Sequence, residues 1–449
     1  MKIKFFTSLF VLSSLLLQAQ TNPAITSWLR NTTGITGRHY VSGNSTPITD
    51  AVAANVQTVQ YSTNWSYITT NGIPAYITGP FLDGNPSLAT TQNGAIFKFP
   101  LNPTQNTGTA TATTGGNIGL FINGVALFDY RDGASWKIST GALAGGPYGG
   151  TGDGKWNRDA VVGEKGGFDC AKAHPAMGNY HHHQNPSAFN LDLVVISTVC
   201  STYPSDGLYV INTAQHSPLI GFAYDGFPIY GAYAYANADG TGGIVRMKSS
   251  YQVRNITTRT VYADGTDVTD GPAVSTTYPL GYFREDYEYV AHPLDPSYLD
   301  EHNGRFCITP EYPAGIYCYF ATVDANHNSA YPYVVGPTFY GNKTAAKVTS
   351  ITESTTQYTL ATTDFVVAKL NIKIYPNPAQ DFVAIQTDMM ENNTEVTLLD
   401  VSGKIIQTQQ ILQGSTLTVF DLQTVCDGVY FLKINDNKDT KTFKIIINK

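Results

Sequence analysis

Asn123-Gly124 lies between two apolar runs in GLFINGVALFDY, residues 119–130, and this pair constrains the chain more than any other feature. Asn-Gly between alternating hydrophobics turns a strand back on itself and is the pair favoured in a type I′ turn. The theme recurs at Asn71-Gly72 in YITTNGIPAYIT, where Pro74 weakens the returning strand. LDLVVISTV and GLYVIN read as buried strands on either side of a CSTYPSD loop, and AGIYCYFATV reads as another. Helical periodicity is scarce and no internal repeat is visible, which disfavours a propeller or solenoid. The fold class expected is mainly β.

The 449 residues exceed one ordinary domain. Texture divides them into residues 1–19, a large β-rich body over 20–341, a Thr/Ser-rich connector over 342–370, and 371–449. The last segment packs short alternating strands into about eighty residues, as expected of a small antiparallel Ig-like β-sandwich. Residues 1–19 have two lysines, an apolar run and a small residue at Ala19, which is the pattern of a secretory signal peptide. No other stretch is apolar for long enough to be a transmembrane segment. With 14% charged residues and a net charge of −7, no basic face for nucleic acid is expected.

Export gives the cysteines a disulfide-permissive setting. Cys307 and Cys318 bracket a Tyr-Pro-Ala-Gly turn and are expected to face each other across a hairpin. Cys170 and Cys200 would form the second bridge, although four cysteines allow three pairings. Cys426 is read as a small buried apolar residue.

Four of the nine histidines fall within residues 174–183, in HPAMGNYHHHQNP. In a strand, side chains two apart share a face, so His181 and His183 point together and His182 points away, toward solvent. A His-x-His pair presents two imidazoles to one ion, and one further ligand makes a usable site. His174, close in sequence, and His327, in the polar loop DANHN, are the candidates to complete it. Asp225, in AYDGFPIYG, is expected nearby as ligand, orienter or base, with Asp324 as another carboxylate. Nitrogen donors favour copper or zinc over calcium or magnesium. Zinc would imply hydrolysis by an activated water, and copper would imply oxidation. His39, His216, His292 and His302 have no such context and are read as structural.

Two resemblances extend this reading. YPNP at 375–378, LLDVSGK at 398–404, GVYFLKI at 428–434 and the terminal FKIIINK resemble the C-terminal sorting domain of the type IX secretion system. That resemblance implies handling by the type IX secretion machinery, removal of the domain, and release or attachment at the cell surface. Tyr180-His181-His182-His183 resembles the tetrapeptide that names the YHYH domain family, with His182 in place of the second tyrosine. GFAYDGFPIYGAY, NGRFCITPEYPAGIYCYFATVD and AYPYVVGPTFYG follow the same family pattern in order, across residues 25–341. The resemblance carries no catalytic assignment; its paired histidines fall on His181 and His183.

Two functions therefore compete. One is a secreted metal-binding protein or metal-dependent enzyme. The other is a non-catalytic surface protein binding a glycan or peptide through tyrosine-rich turns such as YGAYAYA, residues 230–236. Phosphate-loop, GxSxG and calcium-loop patterns do not occur.

Overall fold

In a computed structural model, residues 22–82, 94–176, 178–189, 198–359, 372–387, 393–435 and 440–449 are described. The expected signal peptide lies outside these residues. Strands dominate, as the turn pattern predicted, and the chain divides into two compact units, the first ending at Tyr358 and the second beginning at Thr359. Among the described residues no helix is long and apolar enough to cross a membrane.

The Asn-Gly hairpin forms: Asn117–Phe121 pairs antiparallel with Ala126–Phe128. Its turn is not the two-residue I′ form, because Gly124 has a positive φ of 80° and Asn123 does not. The Gly124 amide donates to Phe121 O at 2.8 Å, and the Phe121 amide donates to Val125 O at 2.9 Å. That is a three-residue connection with a left-handed glycine at its end. A Cβ there would also lie 2.2 Å from Thr70 Oγ1, so glycine meets both a conformational and a steric demand.

The hairpin seeds an eight-stranded mixed sheet. Its order is Ala173–Ala176, Asn179–His182, Ala126–Phe128, Asn117–Phe121, Leu219–Ala223, Pro228–Tyr230, Ile316–Phe320 and Gly304–Cys307. A five-stranded sheet packs against it through Phe99, whose ring lies 6.2 Å from Phe222, with Trp28 5.7 Å from Phe99 and 5.3 Å from Phe222. These rings are buried, each contributing about 1.5–3 kcal/mol of transfer free energy.

Several strand expectations fail. Trp65–Thr70 pairs with Val56–Tyr61 and Ala95–Pro100, whereas Ile77–Thr78 runs parallel to Thr36–Val41, so Asn71-Gly72 closes no hairpin. Asn71 is held otherwise, its Nδ2 on Ala53 O and its Oδ1 accepting from the Gly94 amide. GLYVIN is irregular apart from a single bridge at Gly207, and most of LDLVVISTV lies outside the described residues. The first unit also runs past the composition boundary at residue 341. Ala346–Val348 and Thr356–Gln357 add the two edges of the five-stranded sheet.

The second unit has a three-stranded sheet and a four-stranded sheet around its own core, which includes Val383, Leu398, Phe420 and Leu432. Cys426 is exposed rather than buried; the neighbouring Val425 enters the core instead.

Candidate metal centre

The histidine strand lies one strand in from the edge of the eight-stranded sheet. Ala173–Ala176 returns against Asn179–His182 through Gly178, whose φ is 79°, and the register places His174 directly opposite His181. Side chains directly opposite across an antiparallel pair share a face. The ring centroids of His174 and His181 are accordingly 4.8 Å apart. His183, two residues on, falls on the same face, 4.7 Å from His181. Ligand nitrogens of His174, His181 and His183 all lie within 4.8 Å of one another. All three side chains are buried, with Phe128 stacked on His181 at 3.8 Å and Phe168 edge-on to His174 at 5.0 Å.

Two backbone carbonyls fix the rings. His181 Nδ1 lies 2.7 Å from Asn179 O, and His183 Nδ1 lies 2.7 Å from Asp129 O. A carbonyl only accepts, so each Nδ1 carries the proton and, in the neutral ring, each Nε2 is a bare lone pair. Those two Nε2 atoms are 3.0 Å apart.

Glu164 was not foreseen. It ends the short helix Ala160–Glu164, which is capped by Asp159 accepting from the Val161 and Val162 amides. Asp159 is in turn bonded by Tyr333 Oη at 2.7 Å. Glu164 Oε2 lies 3.0 Å from His174 Nε2 and 3.3 Å from His183 Nε2. Its side chain is 21% exposed against 5% for those two histidines, so it forms the side of the cluster nearest water. Burial raises its carboxyl, but the hydrogen bonds and charge of His174 and His183 outweigh that and hold it far below the carboxylate range. Burial, reinforced by His183 and His174, pushes the His181 imidazole well down. The sequence signal that could have found Glu164 is the capping Asp159 ahead of Ala-Val-Val-Gly-Glu.

The disulfide Cys170–Cys200 anchors the chain three residues before the hairpin, worth roughly 3–4 kcal/mol for a loop of this length. The Cys307–Cys318 bridge expected from sequence is not formed. The register pairs Cys307 with Ile316 and Cys318 with Arg305, so the two cysteines are offset rather than opposed. Their thiols stay in contact, and the hydrogen bond from Cys318 is the main cause that brings Cys307 down to about 7.

Other expected members lie elsewhere. His327 has φ 64° and pairs through Nε2 with Tyr233 Oη at 2.8 Å. Asp324 accepts from the Asn326 and Asn328 amides and shapes that loop. Asp225 is fully buried, accepting from Tyr319 Oη at 2.5 Å and the Gly341 and Phe227 amides at 2.8 and 3.2 Å. Burial raises its carboxyl to about 6 against the pull of these donors. Neither His327 nor Asp225 belongs to the histidine group.

His182 does point away, but into the protein and not toward solvent. Its Nε2 meets Tyr76 Oη at 2.8 Å, and its ring lies edge-on to Phe121 at 5.4 Å. Burial pushes it down to about 3. A His182→Leu variant is therefore expected to leave the other three rings in place while losing about 1–3 kcal/mol in denaturant unfolding, the cost of taking this buried partner from the Tyr76 hydroxyl. The histidines read as structural are engaged as expected: His39 with Asp50, His216 with Ser217 O, His302 with Thr338 O, and His292 stacked on Tyr298. Tyr230 and Tyr233 of the tyrosine-rich stretch are buried, and Tyr230 Oη binds Thr309 and Glu311. Tyr235, the half-buried ring of the stretch, lies 5.0 Å from His216, so most of the stretch builds core.

Comparison with known proteins gives two family matches. A family model described as YHYH protein matches residues 96–332, and one described as secretion system C-terminal sorting domain matches residues 373–448. No curated protein matches the chain. Among solved structures, the chain is similar to PorZ of Porphyromonas gingivalis, described as an essential bacterial surface component of the type IX secretion system. The identity is 11%, over 88% of this chain and 51% of that one, so this chain spans about half its length. The TM-score of 0.16 is too low to argue a shared fold.

Proposed function

The chain belongs to the YHYH protein family and ends in a secretion-system sorting domain, and on that premise we propose that it is an exported metal-binding protein. The sorting domain makes it a secreted protein, of a kind often attached to the cell surface. Its ion is held by His174, His181 and His183, with Glu164 as the fourth group. One observation carries this reading: two Nε2 lone pairs face each other at 3.0 Å with both Nδ1 protons already committed to carbonyls. Lone pairs at that distance repel unless a cation lies between them. A proton would join two of the four groups; a metal ion joins them all.

The spacing supports this. Tetrahedral zinc with bonds of 2.0–2.1 Å has ligand–ligand edges of about 3.3–3.4 Å, and three edges of this cluster measure 3.0, 3.0 and 3.3 Å. Backbone acceptors on the distal nitrogens are the usual outer support of metal-bound histidines. Imidazole donors favour zinc or copper. With Glu164 coordinated the site is closed, as in structural centres; with Glu164 displaced, three histidines and an open position remain, the catalytic arrangement. The first ion would supply an activated water and the second a redox centre.

Elemental analysis of full-length protein purified without chelator is expected to find about one equivalent of zinc or copper, falling below about a tenth in a His181→Ala/His183→Ala variant. Glu164→Gln, which preserves the buried rings, guards against misfolding and is expected to weaken retention without abolishing it. Folded wild type that stays metal-free after incubation with either ion would overturn the assignment.

A further inference from the structure

Away from the histidines, the first unit opens into a groove of about 530 Å³, within the range of small-ligand sites. One wall is the outer face of the Glu164 helix, through Val161 and Val162, continued by exposed Lys165. Arg246 and Lys248 line it too. So do the buried Tyr331 and Tyr333 and the half-buried Tyr251 and Tyr287. Tyr287 stacks face to face on Tyr331 at 3.9 Å and 5°, and Tyr251 meets Tyr331 edge-on at 5.5 Å. This arrangement holds the rings as a fixed platform.

The charge of the groove runs against that of the chain. Three cationic side chains line it in a protein of net charge −7. The lining carboxylate, Asp324, is turned onto its own loop by the Asn326 and Asn328 amides. Lys248 lies 4.8 Å above the Tyr298 ring and 3.1 Å from Asp295. Arg246 is braced by one nitrogen on Val323 O, which aims the guanidinium while leaving it further donors.

We propose that this groove binds an acidic oligosaccharide, its ring faces laid on Tyr251 and Tyr287 and its carboxylates or sulfates met by Lys165, Arg246 and Lys248. Tyrosine rings give apolar area at low entropic cost to the C–H faces of sugars. Guanidinium and ammonium groups pair with oxyanions through charge-assisted hydrogen bonds. Neutral sugars satisfy the rings but offer the cations no oxyanion. The rings are distinct from the 230–236 stretch, and none of the clustered histidines lines the groove.

Calorimetric titration of the full chain tests this with a tri-uronate, its sulfated counterpart and a neutral trisaccharide of the same length. Either acidic ligand is expected to bind with a Kd below about 1 mM, and the neutral sugar at least about tenfold more weakly. Raising ionic strength from about 0.02 to 0.3 M should weaken acidic binding several-fold, because rim charges are screened. Lys165→Gln/Lys248→Gln should cost about tenfold. Equal affinity for acidic and neutral sugars, no binding below about 1 mM, or indifference to the double variant would overturn the proposal. Metal content measured on the same samples should stay at the wild-type value, which separates a failure here from a failure of the metal assignment.

Discussion

Chelation of the purified protein is expected to lower its melting temperature by roughly 8 °C. An ion at a thousand times its Kd stabilises the folded state by about 4 kcal/mol, and a unit of this size shifts about 2 °C per kcal/mol. The loss should be this large because the apo cluster is self-opposed. In their neutral forms His181 and His183 turn lone pairs on each other at 3.0 Å. None of these groups can retreat cheaply. The two rings are pinned by carbonyls and His181 by the Phe128 stack, while the Glu164 helix is capped by a buried carboxylate. Scanning calorimetry with and without EDTA, then with zinc or copper restored, makes the comparison. A transition indifferent to all of these additions would end the metal reading.

The parts of this site that were legible in the sequence are those set by strand geometry alone. A two-residue period places His181 and His183 on one face wherever the strand lies, and the structure keeps them there. His174 joins them through a register that depends on a tight return at residue 178, which spacing alone does not specify. Glu164 was hidden for a different reason: a five-residue helix has too few turns to show a period, so only its Asp159 cap marks it. His327 and Asp225 were drawn in because both lie in polar, glycine- or asparagine-rich stretches. Loop chemistry of that kind says a side chain has a partner but not which one. For His327 the partner is Tyr233; for Asp225 it is Tyr319 and two amides. The fold class was readable from turn residues throughout, yet Asn71-Gly72 shows the limit of that signal. An Asn-Gly pair favours reversal only if both flanking strands can pair, and here Ile77–Thr78 finds a different neighbour.

Replacing Asp225 separates these roles with a second large effect. Asp225→Ala is expected to cost on the order of 4 kcal/mol while leaving metal content unchanged, because three buried donors lose their acceptor at about 1–3 kcal/mol each before relaxation. The position makes the loss global. Asp225 follows the central strand Leu219–Ala223, Tyr319 lies on Ile316–Phe320, and Gly341 lies beyond both in sequence. One carboxylate thus ties together three segments separated by up to 116 residues. Asp225→Asn keeps the volume and one acceptor oxygen but turns an NH2 toward a donor, so about half that cost is expected. Urea unfolding of the two variants, with elemental analysis of the folded fraction, reads both quantities. Loss of metal without loss of stability would instead place Asp225 at the ion. Loss of stability alone identifies it as the acceptor on which the middle of the sheet closes.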